Sequence, residues 1–318
     1  MRILITGGTG FVGAHLIRFL NSQDSRISVL ASGRSGAREP GVQYHELDIR
    51  DAERVRSVVH EVNPDRIYHL AGITAVDVSW THPRLTYEVN VFGAQNLFDA
   101  AMNLPVLPRI LNISTSQVYA PASGIITEES PLRPENPYAA SKAMAELLVP
   151  QYHERPIGGI ITARPFNHTG CGQPPNFVLP SIAKQFAEIE LGLRPPTLKL
   201  GNIAIRRDFT DVRDVVRAYG MLLENGRTSE VYNVCSGTAI LLSDIIGMFQ
   251  AVSGIDITIE IDPNKVRAGE GAEIYGDPHK LQADTGWQPE IPLQKTVEDM
   301  LNYWRSRCQS RDAMSICS

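Results

Sequence analysis

A phenol and an ammonium four residues apart carry the first chemical signal in this sequence. Tyr138-Ala-Ala-Ser-Lys142 reads as the start of a helix, so both side chains project from one face. A tyrosine with a pKa of about 10 is a poor acid or base at neutral pH until a cation steadies its phenolate, and Lys142 is spaced to do that. Upstream, an apolar strand ends in Asn112-Ile-Ser-Thr115-Ser-Gln117-Val-Tyr119, where Thr115 can aim a hydroxyl at the oxygen that Tyr138 protonates. Taken alone, the Tyr/Lys spacing is more often that of a surface pair on a helix. Its weight comes from what precedes it in the chain.

What precedes it is a glycine-rich turn. Thr6-Gly7-Gly8-Thr9-Gly10-Phe11-Val12-Gly13 lies between the first apolar strand and the first helix, with glycines at the first, fourth and seventh places of GxxGxxG. In that position Gly7 permits the tight turn, Gly10 lets a pyrophosphate approach the backbone, and Gly13 lets the helix pack against the strand. A dinucleotide is the ligand such a turn predicts, held by Gly7, Thr9, Gly10, Phe11, Val12 and Gly13. At the end of the second strand, Leu30-Ala31-Ser32-Gly33-Arg34-Ser35 offers no acid for the adenosine ribose of NAD but does offer Arg34, which favours NADP(H) over NAD(H). Asp48 and Ile49 are placed for the edge and face of the adenine. Leu70-Ala71-Gly72 lets backbone pass close under the cofactor.

The elements that must position these residues follow from periodicity. Strands at Ile3 to Thr6, Ile27 to Ala31, Val42 to Glu46, Arg66 to Leu70 and Arg109 to Ile113 alternate with amphipathic helices, one from Phe11 to about Asn21 and another from near Asp51. That alternation implies right-handed βαβ units and a Rossmann-type, doubly wound parallel α/β sheet. Beyond Pro165 come proline- and glycine-rich loops, an apolar helix around Val178 to Leu191, and short strands near Leu198 and Val231. The expected division is residues 1–165 plus about 207–234 in the dinucleotide-binding unit. A smaller α/β substrate unit takes about 166–206 plus 235–318, with a frayed tail from about Arg311.

Bulk properties narrow the function classes. The chain has 318 residues, 43% of them apolar and 20% charged, ordinary values for a globular protein with a sizeable core. A net charge of -5 gives no basic field for nucleic acid. No leader and no span of about 18 apolar residues is read, so no membrane partner and a cytoplasmic location are expected. Cys171, Cys235, Cys308 and Cys317 show neither CxxC pairing nor a histidine at ligand spacing; free thiols, no metal and no disulfide framework are expected.

Taken in order, the Gly7/Gly10/Gly13 turn, Thr115, Tyr138-x-x-x-Lys142 and Arg164-Pro-Phe-Asn167-His168 resemble the extended short-chain dehydrogenase/reductases over nearly the whole chain. Longer motifs narrow the resemblance: Arg164-Pro-Phe-Asn-His-Thr-Gly-Cys-Gly-Gln173, Arg207-Asp-Phe-Thr-Asp211-Val-Arg-Asp214-Val, Val231-Tyr-Asn-Val-Cys-Ser-Gly237 and Thr285-Gly-Trp287-x-Pro. They look like the GDP-mannose 4,6-dehydratase group and especially its sister reductases, which convert GDP-4-keto-6-deoxy-mannose to GDP-D-rhamnose. The resemblance implies Thr115, Tyr138 and Lys142 as catalytic, with Tyr138, Lys142 and Pro165 also at the cofactor. It further implies Thr74, Thr115, Ser116, Gln117, Asn167, Val178, Arg207, Arg267 and Glu270 at a nucleotide-diphosphate sugar, GDP-linked by preference. An arginine fork suits the diphosphate and a carboxylate suits a ribose or guanine edge, and a structural ion pair or surface charge is the alternative for each.

Two departures from the family pattern matter. Ala268 stands where Arg-Pro-x-Glu has its proline, and Ala120 stands where Tyr-Gly is usual. A third difference separates reactions: dehydratases carry an acid two positions after the catalytic threonine, and here that place is Gln117. An amide cannot shuttle protons near neutral pH, so ketone reduction is expected, ahead of dehydration, epimerisation or a non-catalytic dinucleotide sensor. The helices near Arg84 to Met102 and Tyr138 to Leu148 have wide apolar stripes, which either core packing or the family's four-helix homodimer interface explains.

Overall fold

The computed structural model describes residues 1–23, 26–31, 38–152, 159–263 and 273–315. The first half alternates as its periodicity predicts. Strands β1 (Arg2–Thr6), β2 (Arg26–Ala31), β3 (Gln43–Glu46), β4 (Arg66–His69) and β5 (Arg109–Ile113) are interleaved with α1 (Phe11–Asn21), α2 (Ala52–Val62), α3 (Val76–Thr81), α4 (Pro83–Tyr87) and α5 (Gly93–Met102). A π-helical turn, Glu88–Phe92, joins α4 to α5.

The chain continues through β6 (Gly124–Ile126), α6 (Pro137–Leu148), β7 (Gly159–Pro165), β8 (Asn167–Thr169), α7 (Val178–Glu190), β9 (Thr197–Leu200) and β10 (Arg206–Asp211). It ends with α8 (Val212–Asn225), β11 (Val231–Val234), β12 (Ala239–Leu241), α9 (Leu242–Ser253), β13 (Thr258–Ile261), β14 (Glu273–Gly276), α10 (His279–Thr285) and α11 (Leu293–Ser315).

Seven strands form one parallel sheet in the order β11-β7-β5-β4-β1-β2-β3, with helices on both faces, so the fold is the expected Rossmann-type doubly wound α/β sheet. Ile3, Leu4 and Ile5 are wholly buried, as a central strand covered on both faces requires. Strand order reverses between β1 and β4, and at such a switch point the loops leaving the carboxyl ends open a crevice for ligands. A buried core of α1, α8 and the inner strands fills one face; α2 and α5 fill the other.

The second unit has its own core, in which Phe186 of α7, Phe249 of α9 and Met300 of α11 pack together. Its larger sheet runs β12-β10-β14-β6 with β8 beside β10, and β13 pairs with β9 separately. Several stretches fall across the division expected from texture. In 207–234, α8 and β11 lie with the seven-stranded sheet, but β10 belongs to the second sheet, because Arg206 and Arg207 pair with β12 and β14. β6, from within 1–165, pairs with β14. Trp287, from within 235–318, is wholly buried in the first core and donates its indole N–H to the Asp214 carbonyl at 3.0 Å. Among the described residues, no helix is long and apolar enough to cross a membrane. Cys171 and Cys235 are free thiols, and Cys317 lies outside the described residues.

Candidate active site

Beneath the switch point, the glycine turn brings two strand ends into contact. Gly7 has φ +70°, and a Cβ there would stand 2.8 Å from the Ala71 nitrogen. The Gly10 N–H donates to the Gly7 carbonyl at 3.0 Å and closes the turn. A Cβ on Gly13 would meet Gly8 Cα at 2.5 Å, so only glycine lets α1 start this close to β1. Helix α1 begins at Gly10 with no side-chain cap and no acid in its first turn, which leaves its amino end suited to an anion. Thr6 Oγ1 accepts from the Ala71 N–H at 3.0 Å and lies 2.7 Å from His69 Nδ1, pinning β1 to the end of β4. This backbone cradle fits the phosphates of a dinucleotide.

A cleft of about 980 Å³ opens above it, and most of the residues singled out from the sequence line it. From the cofactor set these are Gly7, Thr9, Gly10, Phe11, Val12, Gly13, Asp48, Ile49, Leu70, Ala71, Gly72, Tyr138, Lys142 and Pro165. From the substrate set they are Thr74, Thr115, Ser116, Gln117, Asn167 and Val178. Arg34, Arg267 and Glu270 lie outside the described residues. Arg207 is the exception among the described ones: it is not on the cleft wall, and its guanidinium donates to the Arg206 carbonyl at 2.8 Å. Strand alternation explains this, because its neighbour Asp208 takes the buried face, where its carboxylate accepts from Ser236, Gly237 and Gly276.

Helix α6 starts where it does because Asn136 caps it, accepting the Ala139 N–H at 2.8 Å, and Pro137 fills the first helical position. Tyr138 and Lys142 therefore sit one turn apart, both buried. The Lys142 ammonium donates to the Ile113 carbonyl at 2.8 Å, and burial pushes its pKa down to about 8, with Glu146 one turn on opposing that shift. Tyr138 differs from expectation: burial raises its pKa, the hydrogen bond with Thr115 works against that, and the Lys142 charge is not among the causes. The phenol thus rests protonated. Thr115 Oγ1 also accepts from the Gln117 N–H at 3.3 Å, and the Gln117 side-chain oxygen accepts from Asn136 Nδ2 at 3.2 Å.

Asp48 and Ile49, expected at the adenine, are partly committed to protein. Asp48 is clamped by Arg50, with Nη2 2.6 Å from Oδ2, which also lowers its pKa; the Ile49 side chain packs against Gly93.

Other residues at the site escaped the sequence reading. Asn90, in the π-helical turn, accepts the Ile73 N–H at 2.7 Å and donates to the Ile73 carbonyl and to Ser141 Oγ, holding the Gly72 loop against α6. The one sequence signal for it is an asparagine inside the apolar run Val89-Asn-Val-Phe92. His69 is buried beside Thr6, and burial lowers its pKa to about 3, helped by the Lys142 charge. Behind α6, Arg164 makes a buried ion pair with Glu146 at 2.5 Å and stacks over the Tyr119 ring.

Comparisons with known proteins agree with this geometry. The profile of a family described as GDP-mannose 4,6 dehydratase matches residues 4–300. GDP-6-deoxy-D-mannose reductase of Pseudomonas aeruginosa is 35% identical over 309 residues, covering 96% of this chain and 98% of that protein. The structure of RMD from Pseudomonas aeruginosa complexed with NADPH superposes with a TM-score of 0.84 at 33% identity, over 96% of this chain and all of the other. That of Thermus thermophilus UDP-glucose 4-epimerase with NAD gives 0.83 at 29% identity, over 96% of this chain and 99% of the other.

Proposed function

Because the chain belongs to the GDP-mannose 4,6-dehydratase family of NAD(P)-dependent nucleotide-sugar oxidoreductases and epimerases, we propose that it reduces the C4 ketone of GDP-4-keto-6-deoxy-D-mannose to give GDP-D-rhamnose. The observation that carries this reading is Gln117. It lines the cleft two residues beyond Thr115, its amide oxygen held by Asn136, where loss of water across C5 and C6 would call for an acid.

The bound dinucleotide supplies the two-electron reduction of the ketone. Tyr138 donates its phenolic proton to the oxygen at C4, and Thr115 orients that oxygen through its hydroxyl. Lys142, mostly protonated at pH 7, stabilises the phenolate until it regains a proton from solvent. Ser116, Gln117 and Thr74 are assigned to the sugar and Asn167 and Val178 to the diphosphate side; Arg267 and Glu270 are assigned to the nucleotide. Arg207 is assigned to the nucleotide end with Arg267 and Glu270.

NADPH is the preferred reductant in this reading, since the second strand leads to Arg34 with no acid before it. Trp80, Leu85, Phe92, Met144 and Leu147 are exposed apolar residues on α3, α4, the π-helical turn and α6, and we assign that face to a homodimer built on four helices. Free thiols at Cys171 and Cys235 suit a reducing cytoplasm.

The test mixes the purified protein with GDP-4-keto-6-deoxy-mannose and either NADPH or NADH and follows the absorbance of the reduced cofactor. Stoichiometric oxidation with a deoxy-sugar product supports the reductase and ranks the cofactors. A keto-sugar formed from GDP-mannose alone, with no net cofactor loss, would make it a dehydratase. Interconversion of UDP-glucose and UDP-galactose would make it an epimerase.

A further inference from the structure

Behind the cleft wall, one carboxylate ties β10 to the ends of two other strands. Asp208 is wholly buried, and its Oδ1 accepts from the Ser236 N–H at 2.8 Å and from the Ser236 hydroxyl at 2.7 Å. Its Oδ2 accepts from the Gly237 N–H at 3.0 Å and from the Gly276 N–H at 3.4 Å. An ionised carboxylate offers acceptor sites to all four donors, which an amide cannot do. Ser236 and Gly237 belong to the turn after β11, and Gly276 ends β14.

The main chain of the same residue reaches the cleft. The Asp208 carbonyl accepts from Asn167 Nδ2 at 3.2 Å, and Asn167 is exposed on the cleft wall, whereas Asp208 does not line it. β8 runs beside β10 with Asn167 opposite Phe209. Phe166, which also lines the cleft, packs so closely on Gly276 that a Cβ there would stand 2.7 Å from its ring. Asp208 thus holds both residues of this stretch of wall, one through its carbonyl and one through Gly276. Asp214 offers a contrast in the same segment of chain. Its buried carboxylate accepts from the Glu290 and Ile291 N–H groups at 2.9 and 2.8 Å and from Arg217, none of which lines the cleft.

We propose that Asp208 is a positioning residue for the diphosphate of the nucleotide sugar: its carboxylate anchors β10, and its carbonyl, fixed by that anchorage, holds one N–H of the Asn167 amide and leaves the other to meet a phosphate oxygen. The proposal rests on the reading that puts a nucleotide-diphosphate sugar in this cleft with Asn167 at its diphosphate. Asp208 touches no ligand and acts through Asn167.

The test is calorimetry of GDP, with UDP in parallel, and of whichever of NADP+ and NAD+ the wild type binds better. The proteins are wild type, Asp208→Asn, Asn167→Ala, the double variant and Asp214→Asn, each checked by its melting curve. Asparagine keeps the shape of Asp208, but its NH2 faces N–H donors whichever way the amide turns. Asn167→Ala is expected to bind GDP about tenfold more weakly, as loss of a hydrogen bond to a charged group entails, and Asp208→Asn about three- to tenfold more weakly. The double variant should bind GDP no worse than Asn167→Ala, because both changes remove the same contact. Dinucleotide affinity should stay at the wild-type value throughout. Asp214→Asn should melt lower and still bind GDP as wild type does. Unchanged GDP binding in Asp208→Asn, an equal loss for the dinucleotide, an equal GDP loss in Asp214→Asn, or losses that multiply in the double variant each overturn the proposal. If Asp208→Asn does not fold, Ser236→Ala, which removes one of the four donors, takes its place in the same cycle, with a GDP loss of about two- to threefold expected on the wild-type background and none on Asn167→Ala. A wild type that binds neither GDP nor UDP, or an Asn167→Ala variant that binds GDP as wild type does, overturns instead the reading on which the proposal rests.

Discussion

Glu146→Ala should destabilise the protein severely and shift its activity profile, although Glu146 touches neither ligand site. Its carboxylate is 9% exposed as a residue and receives three contacts from Arg164, with Nη2 to Oε2 at 2.5 Å, Nε to Oε1 at 3.0 Å and Nε to Oε2 at 3.2 Å. Removing one member of a buried pair strands the other charge away from water and costs about 3–5 kcal/mol. A chain of 318 residues loses about 0.7 kcal/mol of stability per degree near its melting point, so Tm should fall by roughly 4–7 °C. A double replacement, Glu146→Leu with Arg164→Met, removes both charges and should recover most of that loss. It should not recover the second effect. Glu146 is the charge that opposes the burial-driven fall of the Lys142 pKa, so without it Lys142 loses its proton at lower pH and the alkaline limb of the activity profile moves toward neutrality. Melting curves and pH–rate profiles of the single and double variants check both parts. A Tm within a degree of wild type for Glu146→Ala, or an unmoved alkaline limb, would refute the reasoning.

Three further outcomes are expected. His69 titrates near 3 when folded against about 6.5 unfolded, so the unfolded chain binds more protons between those values and stability falls as pH drops through that window. Between pH 7.5 and 5 the loss is about 2 kcal/mol, visible as a lower denaturation midpoint and smaller in His69→Asn. Lys142 is depressed to about 8 from about 10.4, so burying its charge costs stability at pH 7. Lys142→Met should abolish activity yet raise Tm, and the wild type's rise in stability from pH 8 to 10.4 should be weaker in that variant. Gly13→Ala pushes a Cβ to 2.5 Å from Gly8 Cα and 2.6 Å from the Gly7 carbonyl oxygen, both backbone atoms that cannot step aside. Calorimetry should find dinucleotide affinity reduced roughly tenfold or more, with the protein still folded; an unchanged affinity would mean that the turn does not cradle the phosphates.

Much of this molecule is legible in its sequence because local chemistry dictates it. The strand and helix alternation of β1 to β5 is written in apolar spacing, and the Gly7 turn with φ +70° in a residue type that tolerates it. Asn136-Pro137 announces the start of α6, so Tyr138 and Lys142 had to share a helix face. Family motifs then tied Thr115 to the same cleft. Each of these rests on contacts a few residues apart or on a pattern with a short period.

Only the tertiary structure decided the rest, since burial and register join residues far apart in the chain. Arg207 joined the second sheet because β10 pairs with β12 and β14 in a register that turns Asp208 inward. Trp287 crossed from the expected substrate unit into the first core. Asn90 holds Ile73 and Ser141, 17 and 51 residues away, and no spacing rule foretells those bonds. The rise of the Tyr138 pKa has the same origin: the depth at which the phenol is buried sets the desolvation that works against its hydrogen bond with Thr115. Desolvation is a property of everything packed around a group, and it exists only once the chain has folded.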